Sequence, residues 1–167
     1  MSAALPRLDP LDLAYVAGCV LLIFVSRRWA LLYALLALPG TFLHELSHWM
    51  VAALLRGKPS TLSIVPVRTE RGWRLGSVGI RSIRWFNAVP IGCAPLLLAP
   101  LAALALGHAA RWPTDHWAHW TGLYVAAAAA LACLPSLADW KIVLSRPLGL
   151  LFYSALLAAS YWFWTRH

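Results

Sequence analysis

Long apolar stretches alternate with short polar connections along the chain, and this pattern predicts a helical membrane protein. Apolar segments lie at about residues 10–26, 29–55, 88–106, 120–134 and 147–164. Each is near the roughly 20 residues that cross a bilayer. The second exceeds that length, and Pro39-Gly40 predicts a kink within it. We therefore expect an all-α polytopic protein with about five transmembrane segments, forming a single membrane-embedded domain over residues 1–167.

The region after the second segment has a different pattern, which predicts a β-hairpin over residues 60–80. Ser60–Arg68 and Trp73–Ile80 are rich in strand-forming residues, and a short turn ending in Gly72 separates them. Pro66 predicts an edge position for the first strand. An open edge suits pairing with an extended peptide, whereas a basic hairpin also suits anionic lipid headgroups. Both interpretations remain open at this point.

Composition supports membrane insertion. The chain is 61% hydrophobic and only 12% charged, against about 25% charged residues in soluble domains. The formal net charge of +8 would also suit nucleic acid, but the basic residues flank apolar segments, so we expect a lipid bilayer as partner and no nucleic acid. Cys19, Cys93 and Cys133 lie in apolar segments without paired spacing, so we expect packing residues and no disulfide.

The distribution of Lys and Arg predicts an orientation. Five crossings with the hairpin in the cytoplasm place ten basic residues inside and four outside, with the amino terminus inside. Arg27 and Arg28 oppose this arrangement locally. We expect an inner, cytoplasmic membrane of a bacterium, with the hairpin and the active site facing the cytoplasm.

The second apolar segment contains His44-Glu45-Leu46-Ser47-His48, a His-Glu-x-x-His pattern. On a helix, residues four apart lie on one face about 6 Å apart along the axis, so both imidazoles can bind one zinc ion. Glu45 adjoins that face and is a candidate base for activating water. The alternative is a pair of core histidines that hydrogen-bond across helices, and the adjacent glutamate favours the metal site.

Asp139 is the candidate third ligand. Among the acidic residues, only Glu45 and Asp139 lie in apolar, membrane-associated regions, where a carboxylate is costly unless it is neutralised. The alternatives for Asp139 are a salt bridge to Lys141 or Arg146, or a cap for a short helix that starts after Ser136. Asp115, His116 and His119 also have metal-binding side chains, but a solvated, Trp-rich interfacial loop is the favoured interpretation there.

With these residues the chain resembles the site-2 protease family of intramembrane zinc metalloproteases. The resemblance covers roughly residues 30–145 and rests on the His-Glu-x-x-His helix, the basic hairpin, Ala94-Pro95-Leu96 and a later aspartate after a proline. It implies that His44, His48 and Asp139 hold Zn²⁺. It also implies that Glu45 is the catalytic base in the cleavage of a transmembrane or membrane-associated protein substrate. A minimal member without a PDZ domain is expected.

Some positions depart from the family pattern. Ser47 stands where glycine is usual, Ala138-Asp139-Trp140 replaces Leu-Asp-Gly, and Leu98 replaces the asparagine of the middle helix. Asn87 is a nearby candidate for that electrophilic role. The missing asparagine motivates a different class as the alternative, a non-catalytic membrane adaptor with a structural or vestigial zinc site. A metal transporter is disfavoured because the first and last segments contain almost no polar residues.

Overall fold

The computed structural model describes residues 9–69 and 72–166. The helices are α1 Pro10–Ser26, α2 Ala30–Leu36, α3 Leu38–Leu54, α4 Ala88–Gly92, α5 Leu98–Ala109, α6 Trp117–Ala132, α7 Leu137–Leu144 and α8 Pro147–Arg166, with a 3₁₀ turn at Ala94–Leu97. The strands are β1 Pro59–Ser63, β2 Val67–Thr69, β3 Gly72–Arg74 and β4 Ser77–Ile80. The predicted mostly helical class with a small β insertion is confirmed.

The lengths of the helices give fewer candidate membrane spans than the sequence predicts. In the described residues, α8 alone is long and apolar enough to cross a bilayer, and its surface is almost wholly unpacked. The count rises to three if α2–α3 and α6–α7, bent by 66° and 48°, each form one span. Helix α1 and the stretch Ala94–Ala109 are apolar but shorter. The prediction of about five spans is therefore not confirmed by length and composition.

The predicted kink in the second segment is present, and it lies at Ala37 between α2 and α3. Pro39 falls in the first turn of α3, where a missing backbone N–H removes no helical hydrogen bond. The carbonyl of Leu36, left free at the break, accepts a hydrogen bond from the Tyr124 hydroxyl at 2.5 Å. Proline thus starts the second half of a broken helix.

Helix α1 runs parallel to α6. Residues in contact or in one buried cluster keep a nearly constant difference in residue number, between 105 and 107: Asp12 with His119, Tyr15 with Trp120, and Ile23 with Ala128. A constant difference, rather than a constant sum, means that the two helices advance in the same direction.

Helix α3 also runs parallel to α6. Its contacts, and that of Leu36 at the end of α2, keep a difference of 88 in residue number: Leu36 with Tyr124, Gly40 with Ala128, and His44 with Ala132. Helices α1 and α3 therefore point in the same direction, and α2 must carry the chain back between them. The second apolar segment folds as a return followed by α3, where the sequence predicted one kinked membrane span.

The approach of α3 to α6 is closest at Gly40. A Cβ atom there would lie 2.5 Å from the Ala128 carbonyl oxygen, so only glycine fits. On α6 the residues that meet Gly40 are Ala128 and Ala132, and the consecutive alanines 126–129 are all buried, so α6 is packed on more than one side. The alanine run therefore serves close helix packing, as predicted.

The hairpin forms in two pieces. Strand β1 pairs antiparallel with β4 at the base, and β2 pairs antiparallel with β3 toward the tip. Pro66 lies in the break between β1 and β2, because proline cannot donate to a ladder. The predicted turn includes Glu70 and Arg71, which lie outside the described residues.

Candidate metal centre

The two histidines of α3 share one face, as their spacing predicts. His48 is buried, with 4% of its surface exposed, and His44 is half-buried. Their Nε2 atoms lie 3.2 Å apart. The helix therefore presents two imidazole nitrogens to one point.

Each imidazole is oriented by a backbone carbonyl. His44 Nδ1 lies 2.8 Å from the Ala132 carbonyl oxygen, and His48 Nδ1 lies 2.7 Å from that of Ile91. A carbonyl oxygen only accepts, so each Nδ1 carries the hydrogen and donates it. In the neutral rings both Nε2 atoms then keep a lone pair. Such a backbone partner on the second nitrogen is typical of metal-binding histidines.

Asp139 joins this cluster from the start of α7. Its Oδ1 lies 3.0 Å from His48 Nε2, and its Oδ2 lies 3.4 Å from His44 Nε2. Within the described chain these three side chains are the group that could hold a metal ion. The structure therefore brings together all the metal ligands that the sequence predicted.

The same carboxylate also caps α7. Asp139 Oδ2 accepts from the Ser136 backbone N–H at 2.6 Å, and Ser136 Oγ accepts from the Asp139 N–H at 3.3 Å, a reciprocal capping box. The predicted cap is confirmed. The alternative salt bridges to Lys141 or Arg146 are absent, although all three residues are described. The Asp139 carboxylate therefore caps α7 and lies against both histidines at the same time.

The spacing of the cluster fits a small tetrahedral cation. Two neutral Nε2 atoms and a carboxylate are all acceptors, so their separations of 3.0–3.4 Å need a proton or a metal ion between them. A tetrahedral zinc site with arms of about 2.0–2.2 Å has ligand-to-ligand edges of roughly 3.3–3.6 Å. The observed separations lie within a few tenths of an ångström of that range.

Glu45 lies beside the cluster but is not part of it. Its carboxylate has no hydrogen-bond or salt-bridge partner among the described residues. Gly76, between β3 and β4, packs directly over it, because a Cβ atom there would lie 2.6 Å from Glu45 Cγ. No pattern in the sequence signals this contact, which depends on the fold of the hairpin over α3.

One cavity of about 650 Å³ contains Glu45 and the three metal-ligand candidates. Its wall includes the stretch Trp73–Val78 of the hairpin, the end of α6 and the start of α7. Strands β3 and β4 each have one paired neighbour, so their other edge is open. The arrangement can hold a metal ion, a general base and an extended chain in one space.

Asn87 does not belong to this cavity. It is fully buried, its Oδ1 accepts from the Arg84 N–H at 2.7 Å, and its Nδ2 donates to the carbonyls of Leu55 and Ser82. All of its polar atoms are therefore used by backbone groups. The hypothesis that Asn87 is an electrophilic helper is wrong, and its role is to join the two chain segments at the base of the hairpin.

The residues Asp115, His116 and His119 do not converge on a metal ion. Asp115 is exposed, and His116 caps α6 by accepting from the Ala118 N–H. His119 is buried and its Nε2 lies 2.8 Å from Oδ1 of Asp12 in α1. The solvated-loop interpretation is therefore wrong for His119. Asp12 is likewise a buried acid, where the sequence placed it at an exposed end.

The cysteines Cys19, Cys93 and Cys133 are free thiols, as predicted. In comparisons with known proteins, no family model, no curated protein and no solved structure matches this chain.

Proposed function

We propose that this chain is an integral membrane zinc peptidase of the site-2 protease type, which cleaves a membrane-associated protein or peptide. The observation that carries the proposal is the convergence of His44, His48 and Asp139 beside an unpaired Glu45 in one cavity. Two imidazoles and one carboxylate form a three-ligand set typical of catalytic zinc, which keeps one position open. The same donor types are less typical of Mg²⁺ or Ca²⁺, which prefer all-oxygen ligands.

The protein groups have separate roles in this proposal. Bound zinc would lower the pKa of a water molecule toward about 7. Glu45 accepts the proton from the attacking water at its carboxylate and delivers it to the leaving amine. The carbonyls of Ala132 and Ile91 keep both imidazoles in the orientation that directs Nε2 to the metal.

The hairpin supports a role in holding the substrate. Its stretch Trp73–Val78 lines the cavity, and β3 and β4 have no second strand neighbour on their other edge among the described residues. An extended peptide could pair with that edge by strand addition, which exposes its peptide bonds in a way that an intact helix does not. Gly76 gives the substrate backbone a close approach to Glu45, because it lies directly over that side chain.

The parallel packing of α1, α3 and α6 supports a revised membrane orientation. If α1, α5, α6 and α8 cross while α2–α3 returns, the start of α1 lies on the same face as residues 110–116. The hairpin then lies on the opposite face. Of the basic residues that the structure describes, Arg111 and Arg166 fall on the face where α1 starts and ten fall on the hairpin face. This bias exceeds that of the five-crossing arrangement, because Arg27 and Arg28 no longer oppose it.

Glu45→Gln is the test of this mechanism. In reconstituted membranes with a panel of single-span substrates, the variant should lose at least about 100-fold in cleavage, the usual contribution of a positioned acid–base group. It should retain its zinc, measured by elemental analysis, because Glu45 is not a ligand. The matched control is Asp115→Asn, an exposed acid outside the cavity. Unchanged cleavage by Glu45→Gln would refute the proposed mechanism.

The second candidate function is a non-catalytic adaptor that keeps zinc as a structural element. The observation in its favour is the occupied amide of Asn87, which leaves no described asparagine in the cavity. Zinc retention with no cleavage of any substrate by the wild-type protein would favour this candidate. Stability would then fall on zinc removal, as for a structural site.

A further inference from the structure

Two arginines, Arg27 and Arg74, line the cavity that holds the proposed metal site. Arg27 ends α1 and Arg74 ends β3. Neither forms a salt bridge with a carboxylate of the described chain. Arg74 interacts electrostatically with Glu45 in the same cavity. Arg27 is therefore the cavity guanidinium for which the described residues supply no carboxylate partner.

Arg27 is held toward the cavity by aromatic rings. Its guanidinium carbon lies 4.8 Å from the ring centroid of Phe24 and 5.7 Å from that of Tyr33, which itself lines the cavity. Such cation–π contacts reduce the freedom of a long side chain. The side chains of Arg27 and Arg28 are both exposed, but only Arg27 lines the cavity. A helix C-terminus favours both cations equally, so it does not explain why one of them faces inward.

Arg27 lies at the depth of the metal cluster. The constant differences in residue number along α6 place both Arg27 and His44 at the level of Ala132, and all three residues line the cavity. Helices packed on one neighbour lie about 8–10 Å from it. An extended peptide advances about 3.3–3.6 Å per residue. A substrate extended through this cavity therefore passes both the metal cluster and Arg27.

We propose that Arg27 forms a carboxylate subsite that selects peptides with Asp or Glu near the scissile bond. This inference rests on the proposed function. A guanidinium fork matches a carboxylate in a bidentate, charge-assisted pair, which makes it a specific contact and not only a source of positive charge. Arg27 is a specificity-determining residue in this arrangement, and the reacting groups remain Glu45 and the metal cluster.

The test measures binding, so that it does not depend on catalysis. Two fluorescent peptide hydroxamates, identical except for Asp or Asn beside the metal-binding group, are titrated into the zinc-loaded protein in phosphatidylcholine nanodiscs. The wild-type protein should bind the Asp probe roughly tenfold more tightly, as expected for one charge-assisted pair. Arg27→Gln should reduce this preference to less than about threefold, whereas the control Arg28→Gln should retain it.

The other outcomes overturn the subsite in distinct ways. Equal affinities of the wild-type protein for both probes would show that no carboxylate is recognised. Equal losses in Arg27→Gln and Arg28→Gln would show an effect of overall charge. Loss of the preference in phosphatidylglycerol nanodiscs would assign Arg27 to a lipid phosphate. If zinc-loaded protein binds neither probe, the proposed function fails and the subsite fails with it.

Discussion

Asp139 Oδ1 lies 3.0 Å from His48 Nε2, while Oδ2 of the same carboxylate accepts the Ser136 N–H at 2.6 Å. One side chain therefore starts α7 and completes the metal cluster. The cap fixes the carboxylate before any metal binds, so the start of a short helix determines the position of the third ligand. Substitutions can distinguish the two roles of Asp139, which are to cap α7 and to complete the cluster with the histidines.

Asp139→Asn should lower zinc affinity at least about tenfold, because it removes an anionic ligand. It should largely keep the α7 cap, because an amide oxygen can still accept from Ser136. Ser136→Ala is the converse change: it should cost about 1 kcal/mol in stability and alter zinc affinity little. Chelator competition measures affinity, and thermal unfolding of chelator-treated protein in detergent measures stability. Wild-type zinc affinity in Asp139→Asn would contradict the assignment of the third ligand.

Gly40→Ala should destabilise the protein by about 1–3 kcal/mol, since its Cβ would lie 2.5 Å from the Ala128 carbonyl oxygen. Gly18→Ala is the matched control, because nothing lies within 4 Å of that Cβ. Alanine should be neutral or stabilising there, by up to about 1 kcal/mol, through helix propensity. Thermal unfolding of both variants provides the comparison, and equal effects would argue against the close approach of α3 and α6.

Gly76→Ala should displace Glu45 without removing a ligand, because the new methyl group would lie 2.6 Å from Glu45 Cγ. Displacing a catalytic group by about 1 Å can cost roughly 100-fold in rate. We expect a loss of cleavage of at least about tenfold with unchanged zinc content. The control is Gly107→Ala, a glycine with open space around it. A parallel loss of zinc in Gly76→Ala would indicate disruption of the whole site.

Asp12→Ala should be strongly destabilising, by about 3–5 kcal/mol, since it leaves His119 buried without its partner. Asp115→Ala, which removes an exposed acid, should change stability by less than about 0.5 kcal/mol. Thermal unfolding in detergent compares the two. Similar values for both would show that the pair between α1 and α6 contributes little.

Labelling of single cysteines tests the revised orientation. In a variant without the three native cysteines, Asp9→Cys and Asp115→Cys should react with an impermeant maleimide from the same side of sealed vesicles. Arg81→Cys, at the base of the hairpin, should react from the other side. The physical reason is the parallel packing of α1 and α6, which places Asp12 beside His119. Reaction of Asp9→Cys together with Arg81→Cys would restore the five-crossing arrangement.

Local features of the fold were predictable because they depend on neighbours in the sequence. The spacing of His44 and His48 determines that both lie on one helical face. Ser136 and Asp139 have the pattern of a capping box, and Pro39 predicts the break in the second segment. Strand-forming residues on both sides of a Gly-containing turn predicted the hairpin, although Pro66 divides it into two pieces.

What depends on distant contacts was decided only by the tertiary structure. The return of the chain through α2 follows from the packing of α1 and α3 on α6, which no local pattern encodes. The same packing pairs Asp12 with His119, and the fold of the hairpin places Gly76 over Glu45. For Asn87, nearness in sequence suggested an electrophilic role in the site. Its hydrogen bonds to buried backbone groups exclude that role. The sequence by itself determined that His44, Glu45 and His48 lie together on one helix, because their spacing is local. The tertiary structure decided that Asp139 joins the two histidines and which cavity wall surrounds them, because segments far apart in the chain supply them.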